Sequence, residues 1–593
     1  MKLSDYVIDF IAKEGVAHVF ELIGGAVTHL LDSIYYRDDI QCVSVHHEQA
    51  AAFAAEAYAR INGNLGVAIA TSGPGALNLV TGIGSSYFDS IPCLFITGQV
   101  NTYEYKFNRP IRQMGFQETD IVSVVKHLTK YAVLVTDPEE IRYHLEKAIY
   151  LARSGRPGPV LLDLPMSVQR AQIEPEKLKG FYDSEEFSKI LKADLCNKDA
   201  AADEVISLIK KAKRPLLLVG GGVRTARAVN ELGLLVKITG IPVVTSLMGL
   251  DAIPHNNPSF LGMIGSYGNR YSNLILANCD FLLILGSRLD TRQTGTRPDT
   301  FARAAKKVHV DIDPVELNEK VKVDIAVSCD VRDFLCRINT ELEGYVKADL
   351  SSWYKIIEGY REKYSTIRQP VQSGNLDPNT FMELLSSLCD EGDIICLDVG
   401  QHQMWAAQSF HIKEKQRMLI SGGMGAMGYA LPAAIGASKA APGKRVFVIT
   451  GDGSIQVNIQ ELDIIASHNL PIKIFLMNNR SLGMVRQFQD MYFGGRQQST
   501  VKGYSCPDLG EVATAFGIPS YINISPIYSR KIIETVLKTN GPSFVDVKLD
   551  QNTCVNPKLV VNRPIEDMSP HLARKELKKI MLIDLIDEME VPN

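Results

Sequence analysis

Two polar clusters in the chain each follow an apolar run: Gly451, Asp452 and Gly453 come after RVFVIT, and Asn478 and Asn479 come after PIKIFLMN. A carboxylate and a carboxamide are both hard oxygen donors suited to Mg²⁺, which keeps some of its water and takes further ligands from substrate phosphates. The flanking glycines let backbone approach such a ligand closely. Gly-Asp-Gly by itself is a common turn tripeptide; the second polar ending is what favours a site. Both runs are short and β-branched, as buried parallel strands are, and the intervening NIQELDIIASHN has helical spacing. A βαβ unit ends both strands on the same edge of a sheet, where open α/β sheets bind ligands, so Asp452 and Asn479 are expected to converge.

A second candidate is Glu48, at the start of the Ala-rich helical segment HHEQAAAFAAEAYAR. Acidic residues are common in first turns, where they stabilise the helix dipole by a few tenths to ~1 kcal/mol, so a structural reading competes with a catalytic one. Next comes TSGPGALNLVTGI, a Gly/Pro loop entering a helix whose first N–H groups can bind an anion. Further on, VGGGVRTA carries Thr225 where a dinucleotide fingerprint needs its last glycine, which argues against nicotinamide binding.

The elements that must position these residues fall into blocks. At 593 residues the chain has room for about three to five domains. From Met1 to about Ile173, strands such as LGVAIATSG and IPCLFITGQV alternate with helical patterns. A charged linker follows, EPEKLKGFYDSEEFSKILKADLCNKDAA, and then a second block with RPLLLVGGG, IPVVTS, CDFLLILGSRLD and KKVHVDID as strands. After the polar helical connection ELEGYVKADLSSWYKIIEGYREKYS, a third block begins near Asn379. The expected domains are 1–173, 195–345 and 375–550, with a tail over 551–593 finishing in the charged helix ARKELKKIMLIDLIDEME. The fold class is α/β, three doubly wound parallel-sheet domains. Blocks one and three both read as six-stranded units, which an ancient duplication would explain, although no strong sequence repeat joins them.

Composition narrows the function. Hydrophobic content of 46% and charged content of 22% are those of a globular protein. A net charge of −4, from 63 basic and 67 acidic residues, leaves no footprint for nucleic acid or an anionic membrane. Ten cysteines stand singly with no CxxC pair, so neither a zinc site nor a disulfide framework is expected, and a reducing cytoplasmic setting fits. The N-terminal MKLSDYVIDFIAKEGVAHVF has helical spacing and reads as neither signal peptide nor membrane span.

HHEQAAAFAAEAYAR, TSGPGALNLVTGI, SGGMGAMGYALPAAIGA and GDGSIQVNIQEL…NN, in this order, resemble the thiamine-diphosphate-dependent enzymes, closest to acetohydroxyacid (acetolactate) synthase catalytic subunits. The likeness runs from near Ser4 to about Lys548, and four motifs in register are a strong signal. The resemblance implies that Asp452, Asn479 and the Ser481 carbonyl hold Mg²⁺ on the cofactor's diphosphate. It implies that Glu48 bonds N1′ of the aminopyrimidine, favouring the tautomer by which the cofactor acts as its own base, and that Met427 wedges the cofactor into its bent shape. Met427 also reads as an ordinary gap-filling core methionine. Gly25 and Gln117 match positions near the reacting centre, and Lys130 one lining the approach, where a solvated surface lysine is the rival reading. Gln401 and His402 match residues beside the diphosphate and substrate, though a lone histidine is more often structural. Further cofactor contacts implied are Thr71, Pro74, Asn78, Gly425, Gly451, Gly453, Ser454 and Met484.

In the second block, GRPGPV, TSLMG, LGMIGSYG, GSRLDTRQTG and VHVDIDPVE resemble the segments with which these synthases bind FAD. The implied contacts are Arg156, Gly221, Gly222, Leu247 and Met248, then Gly286, Arg288, Asp311, Ile312 and Asp330. Arg292 matches the arginine that meets the acceptor's carboxylate, and Phe488 stands where the synthases have Trp. Other departures cluster around the acceptor. Glu21, Leu22 and Ile23 replace Gly, Tyr and Pro, and Thr291 replaces a second Asp. The segment NTYEYKFNRPIRQM is longer and adds Lys106, Arg109 and Arg112, three cations able to meet a diphosphate, although exposed charges are most often a solvated face. The resemblance thus implies a carboligase that decarboxylates pyruvate and passes a two-carbon unit to a second carbonyl substrate. A nucleotide-linked ketosugar as acceptor, and a non-ligating decarboxylase or oxidase, are the alternatives. The expected cofactors are thiamine diphosphate, Mg²⁺ and FAD, and the expected assembly is a homodimer or homotetramer with sites between chains and room for a regulatory subunit.

Overall fold

The computed structural model describes residues 1–194, 201–366 and 376–586. The expected boundaries at 195 and 375, and the last residues of the charged tail, lie outside the described residues.

The first sheet comprises β1 (His18–Leu22), β2 (Gln41–Ser44), β3 (Gly66–Ala70), β4 (Cys93–Gln99), β5 (Tyr131–Leu134) and β6 (Val160–Pro165), in the order 2-1-3-4-6-5. The central sheet holds β7 (Pro215–Val219), β8 (Val243–Thr245), β9 (Phe260–Met263), β10 (Phe281–Leu285), β11 (Lys306–Asp311) and β12 (Ile325–Ser328). Counted from its own first strand, its order is 3-2-1-4-5-6 read from one edge, the dinucleotide-fold order, although the glycine fingerprint is missing. The third sheet is β13 (Ile394–Leu397), β14 (Arg417–Ile420), β15 (Val446–Gly451), β16 (Ile472–Asn478), β17 (Ser520–Asn523) and β18 (Ser543–Lys548). Its order repeats that of the first sheet, and every pairing in all three is parallel. The central strands of each sheet are wholly buried, as a parallel sheet covered on both faces requires.

The Ala-rich run is the helix Glu48–Asn62, and its composition has a packing cause. Residues Ala50 to Ala59 are buried against the helix Ala430–Ala440 of the third domain. The approach is so close that a Cβ on Gly436 would lie 2.0 Å from the Ala54 carbonyl oxygen. Polar bonds flank this contact: Asn458 donates to Gln49 at 3.0 Å, the His46 amide to Glu461 at 3.1 Å, and Tyr429 to Glu56 at 3.3 Å.

Three expectations about the connections are corrected. The connection before the third block is helical as expected, over Ser351–Lys363, but not merely polar: it buries Trp353, Ile357 and Tyr360 on the central domain, with the indole donating to the Pro215 carbonyl at 3.1 Å. Along the charged linker, Phe181 is buried among Tyr143, Tyr150, Tyr182 and Phe187, so that stretch belongs to the first domain's surface. Among its described residues the charged tail is helical only over Arg574–Ile580. There Tyr360 donates to the Ile580 carbonyl and the Leu582 amide to Asn278, which bends the chain away from a helical path. The helical run between β15 and β16 is likewise broken into three pieces, a short turn of helix over Asp452–Ile455, a tight turn over Gln456–Glu461 kinked at Asn458 and the helix Leu462–Ser467.

Candidate active site

β15 and β16 pair directly, with Gly451 opposite Met477, so Asp452 and Asn479 leave the same sheet edge side by side. The Asp452 carboxylate accepts the Tyr504 hydroxyl at 2.8 Å and also faces the Ser481 amide. That amide bonds the Asn479 carboxamide oxygen at 3.3 Å, so the two side chains meet over one N–H. Burial pushes Asp452 up to about 6, with the Tyr504 bond opposing. Asn479 is oriented from behind: its amide donates to Gln401 at 2.9 Å, and Gln401 donates to Gln487 at 3.2 Å and to the Thr553 carbonyl at 3.1 Å. A Cβ on Gly483 would stand 2.0 Å from the Gln401 oxygen, so only glycine fits beside this pair.

His402 packs against the Gly451 backbone, where a Cβ would lie 2.8 Å from its Nδ1. Burial pushes this imidazole down to about 3, keeping it neutral. Ser454 donates to the Val399 carbonyl at 2.7 Å. The loop before the helix Ala430–Ala440 is gripped by the buried Asp398, which accepts the Gly428 amide at 2.8 Å and the Ala430 amide at 3.2 Å. This loop carries Gly425, at φ +66° with open space at its Cβ position, and Met427, whose methyl lies 3.6 Å from where a Cβ on Gly453 would be. Met484 packs into the third domain's core.

Around Glu48 a second cluster forms in the first domain. The carboxylate, 6% exposed, accepts the Asn78 amide at 2.9 Å, and a Cβ on Gly75 would lie 3.0 Å from its other oxygen. Thr71 accepts the Ala26 amide at 3.3 Å, placing Gly24 and Gly25 against the loop that continues through Gly73 and Pro74. Gln117, at φ +62°, covers Gly73 from the other side. Lys130 is not in this cluster: its ammonium donates to the carbonyls of Ser154 (2.6 Å) and Arg156 (2.8 Å), and burial pushes it down to about 8. Of the three added cations, Lys106 donates to its own loop at the Ile111 and Arg112 carbonyls and Arg109 reaches Met114, while Arg112 is exposed.

The central domain faces the first across a cleft of about 970 Å³, part of it open to solvent. Arg156, Gly221, Gly222, Met248, Gly286, Arg288, Asp311, Ile312 and Asp330 all line it. Gly222 and Gly286 touch backbone to backbone, and a Cβ on either would lie 2.7 Å from the other's Cα. Arg156 is held by Glu316 at 2.7 Å and Asp313 at 3.1 Å, and Asp330 caps the helix Val331–Glu341. Leu247 lies instead in a small adjoining pocket, open to solvent, with Tyr267, Arg292 and Met404. Phe488, 42% exposed on the helix Gly483–Tyr492, stacks obliquely on Tyr492 at 4.7 Å.

Three family models cover most of this architecture: the N-terminal TPP binding domain of the thiamine pyrophosphate enzymes over residues 1–124, their central domain over 202–338, and their C-terminal TPP binding domain over 398–547. Acetolactate synthase 2, chloroplastic, of Nicotiana tabacum is 37% identical over 584 residues, covering 96% of this chain and 85% of that protein. Acetolactate synthase, chloroplastic, of Arabidopsis thaliana is 38% identical over 563 residues, covering 92% and 81%. The chain belongs to the acetolactate synthase family of thiamine pyrophosphate enzymes.

Whether this family member's own residues suit the cofactors is tested by its polar inventory. Among the described residues no three His, Cys, Asp or Glu side chains gather to hold a metal, so an ion at Asp452 must draw on the Asn479 amide oxygen, a backbone carbonyl and phosphate oxygens, a donor set suited to Mg²⁺. The buried Nε2 of His402 and Oγ of Ser481 have no hydrogen-bond partner, unusual for buried polar atoms unless a ligand supplies one. With the glycine walls at Gly451, Gly453 and Gly483, these orphans fit a diphosphate. The central cleft fits a large flat ligand entered by glycine backbone.

Several residues that shape the sites of this family member escaped the sequence reading. Asp89 accepts the amides of Gly422 (2.8 Å) and Gly423 (2.7 Å), tying the central cleft's rim to the loop of Met427. Tyr504, Asp398 and Gln487 act through Asp452, Met427 and Gln401, and nothing in their spacing signals this. No helix among the described residues is long and apolar enough to cross a membrane, and no disulfide joins the described residues.

Proposed function

We propose that the protein is a thiamine-diphosphate-dependent carboligase that decarboxylates pyruvate and transfers the two-carbon unit to a second carbonyl compound, 2-acetolactate being the product when that compound is pyruvate. The observation that carries this reading is the meeting of Asp452 and Asn479 over the Ser481 amide, beside the unpartnered His402 and Ser481 side chains. When bound, thiamine diphosphate supplies a nucleophilic carbon that adds to a 2-oxo acid and takes up electrons as CO₂ departs. Asp452, Asn479 and the Ser481 carbonyl hold Mg²⁺ against the diphosphate, with Gln401, His402, Gly451, Gly453 and Ser454 around it. Glu48 holds a proton at N1′ of the pyrimidine ring, Thr71, Pro74 and Asn78 shape its pocket, and Met427 with Gly425 sets the bend between the two rings. Gly25 and Gln117 border the reacting centre. Lys130 positions Arg156 through the 154–156 backbone, at the edge of the approach.

FAD occupies the central cleft and serves as structure, because carboligation transfers no net electrons. Arg292, in the adjoining cavity, receives the acceptor's carboxylate, and Phe488 borders the same space.

The working unit is at least a dimer. Apolar side chains stand exposed beside both clusters: Phe116 (86% exposed), Ile23 and Leu77 next to the Glu48 cluster, and Val485, Phe488 and Phe493 next to the Asn479 cluster. Exposed apolar patches of this kind mark interaction surfaces, and facing the two patches across chains would join the half-sites. A reducing cytoplasmic setting is supported by the buried thiols of Cys93, Cys279, Cys389 and Cys396. We take the units as 1–173, 195–345, 375–550 and 551–593, a division supported by one six-stranded sheet within each of the first three. The test is mass spectrometry of products from pyruvate alone and with a panel of carbonyl acceptors. CO₂ release with free acetaldehyde, or oxygen consumption with no ligated product, would overturn the carboligase reading.

A further inference from the structure

Lys558 lies on β19 (Lys558–Leu559), which pairs with β20 (Met568–Ser569) after the third sheet. It is only 6% exposed, yet among the described residues its ammonium has neither a carboxylate in ion-pair reach nor a hydrogen-bond acceptor. Three rings surround it instead, with centroids at 5.4 Å (Phe488), 5.7 Å (Tyr267) and 5.8 Å (Tyr492). Aromatic faces attract a cation, but they leave its three N–H donors unsatisfied. The ammonium nitrogen is not among the fully buried, unpartnered atoms, so its open donor positions face solvent and an anion reaching the pocket can take them.

The neighbourhood shows where such an anion would come from. Tyr267, one wall of the ring cage, also lines the solvent-open pocket bordered by Arg292. Arg292 is near enough to Tyr267 for its charge to oppose the rise that burial imposes on the phenol. The Leu559 amide donates to the Ser266 carbonyl at 2.7 Å and the Ser266 amide to the Arg292 carbonyl at 2.7 Å, so the strand bearing Lys558 is pinned to the backbone bearing Arg292. Two cations with no carboxylate partner, Lys558 and Arg292, thus flank one aromatic wall. By contrast, Arg60 pairs with Glu56, and the buried Lys473 donates to the backbone carbonyls of Thr539 and Gly541.

We propose that Lys558 is an anion-binding residue of the acceptor pocket, taking a second negatively charged group, carboxylate or phosphate, on a carbonyl acceptor whose first carboxylate meets Arg292. This rests on the carboligase reading above. The ring cage holds the ammonium in place before substrate arrives, and the incoming anion completes its hydrogen bonding. Selectivity follows: an acceptor lacking the second anion forgoes the bond to this ammonium and binds less well.

The experiment uses the holoenzyme loaded with thiamine diphosphate, Mg²⁺ and FAD, as wild type, Lys558→Met, Lys558→Gln and Lys558→Arg. Melting temperature is followed against malonate and, separately, inorganic phosphate at constant ionic strength; the two arms separate carboxylate from phosphate recognition. One of them is expected to raise the melting temperature of the wild type and the Lys558→Arg protein and to leave the Met and Gln variants unmoved. Initial rates are then compared for a 2-oxo acid bearing a distal carboxylate or phosphate and for its uncharged-tail analogue of equal length. In the Met or Gln variant KM is expected to rise at least 10-fold for the first acceptor alone, with recovery in Lys558→Arg. Anion responses equal in wild type and variants, a wild type that neither anion stabilises, or KM values that rise together for both acceptors would overturn the assignment. Failure of the carboligase reading is distinguishable, since it would leave no ligated product with either acceptor while the melting arm still decides Lys558.

Discussion

Replacing Glu48 by glutamine separates the two roles a first-turn carboxylate can have. Gln preserves size in a site where a Cβ on Gly75 would already lie 3.0 Å from one carboxylate oxygen, so a larger or smaller residue would confound the result. The Asn78 amide donates to the other oxygen at 2.9 Å, and a glutamine can keep that bond by presenting its carbonyl there. What is lost is the charge on the bond, a difference of about 1 kcal/mol between charged and neutral acceptors, plus up to about 1 kcal/mol of helix-dipole stabilisation. In a domain of this size that corresponds to a fall of roughly 2–8 °C in melting temperature. Proton handling is worth much more: a positioned acid–base group contributes about 10²–10⁴-fold, or roughly 3–5 kcal/mol of barrier. Hydrogen–deuterium exchange at C2 of the bound cofactor reads this step without any acceptor, and it should slow by at least about 10²-fold. Exchange at the wild-type rate, with only the modest melting shift, would refute the catalytic role and leave Glu48 as a helix-stabilising residue.

Mixing Glu48→Gln with Asp452→Ala subunits should recover part of the activity, because a mixed dimer with sites between chains retains one site with both native residues; no recovery after demonstrated subunit exchange would place each site within one chain. Gly222→Val should lower flavin retention and melting temperature together, since its added Cβ would lie 2.7 Å from the Gly286 Cα and close the cleft wall, as flavin absorbance on the purified protein would report. His255, stacked 3.9 Å from Phe260 with its ring nitrogen donating to Leu250, is pushed by burial down to about 3. Its folded pKa lies below the unfolded value, so its contribution to stability is fully present above about pH 6.5 and is lost as pH falls towards about 3. His255→Gln should therefore flatten the decline of the unfolding midpoint over that window, and an unchanged slope would remove His255 as the cause.

Much of this protein was legible because parallel α/β domains write themselves in short-range pattern. Runs such as RVFVIT and CDFLLILG are continuously apolar because both sheet faces are covered, and the rule that βαβ strands end on one edge is enough to bring Asp452 to Asn479. Glycines announced the close approaches at Gly222 with Gly286 and at Gly451 with His402, since only a missing Cβ allows them. Other features depend on contacts between distant segments, and those no local pattern encodes. Asp398 and Tyr504 matter only because the fold sets them against the Met427 loop and Asp452. The Ala-rich helix after Glu48 is alanine-rich because the third domain's helix must come within contact of its backbone, which a propensity scale reads merely as a good helix. Lys106 and Lys558 make the sharpest contrast. The first looked like a ligand in sequence and is spent on its own loop, while the second passed as one more tail lysine until the strand it sits on carried it into a ring cage beside Arg292. Whether a charge is solvated, paired or held ready for an anion is a matter of what surrounds it, and only the tertiary structure decides that.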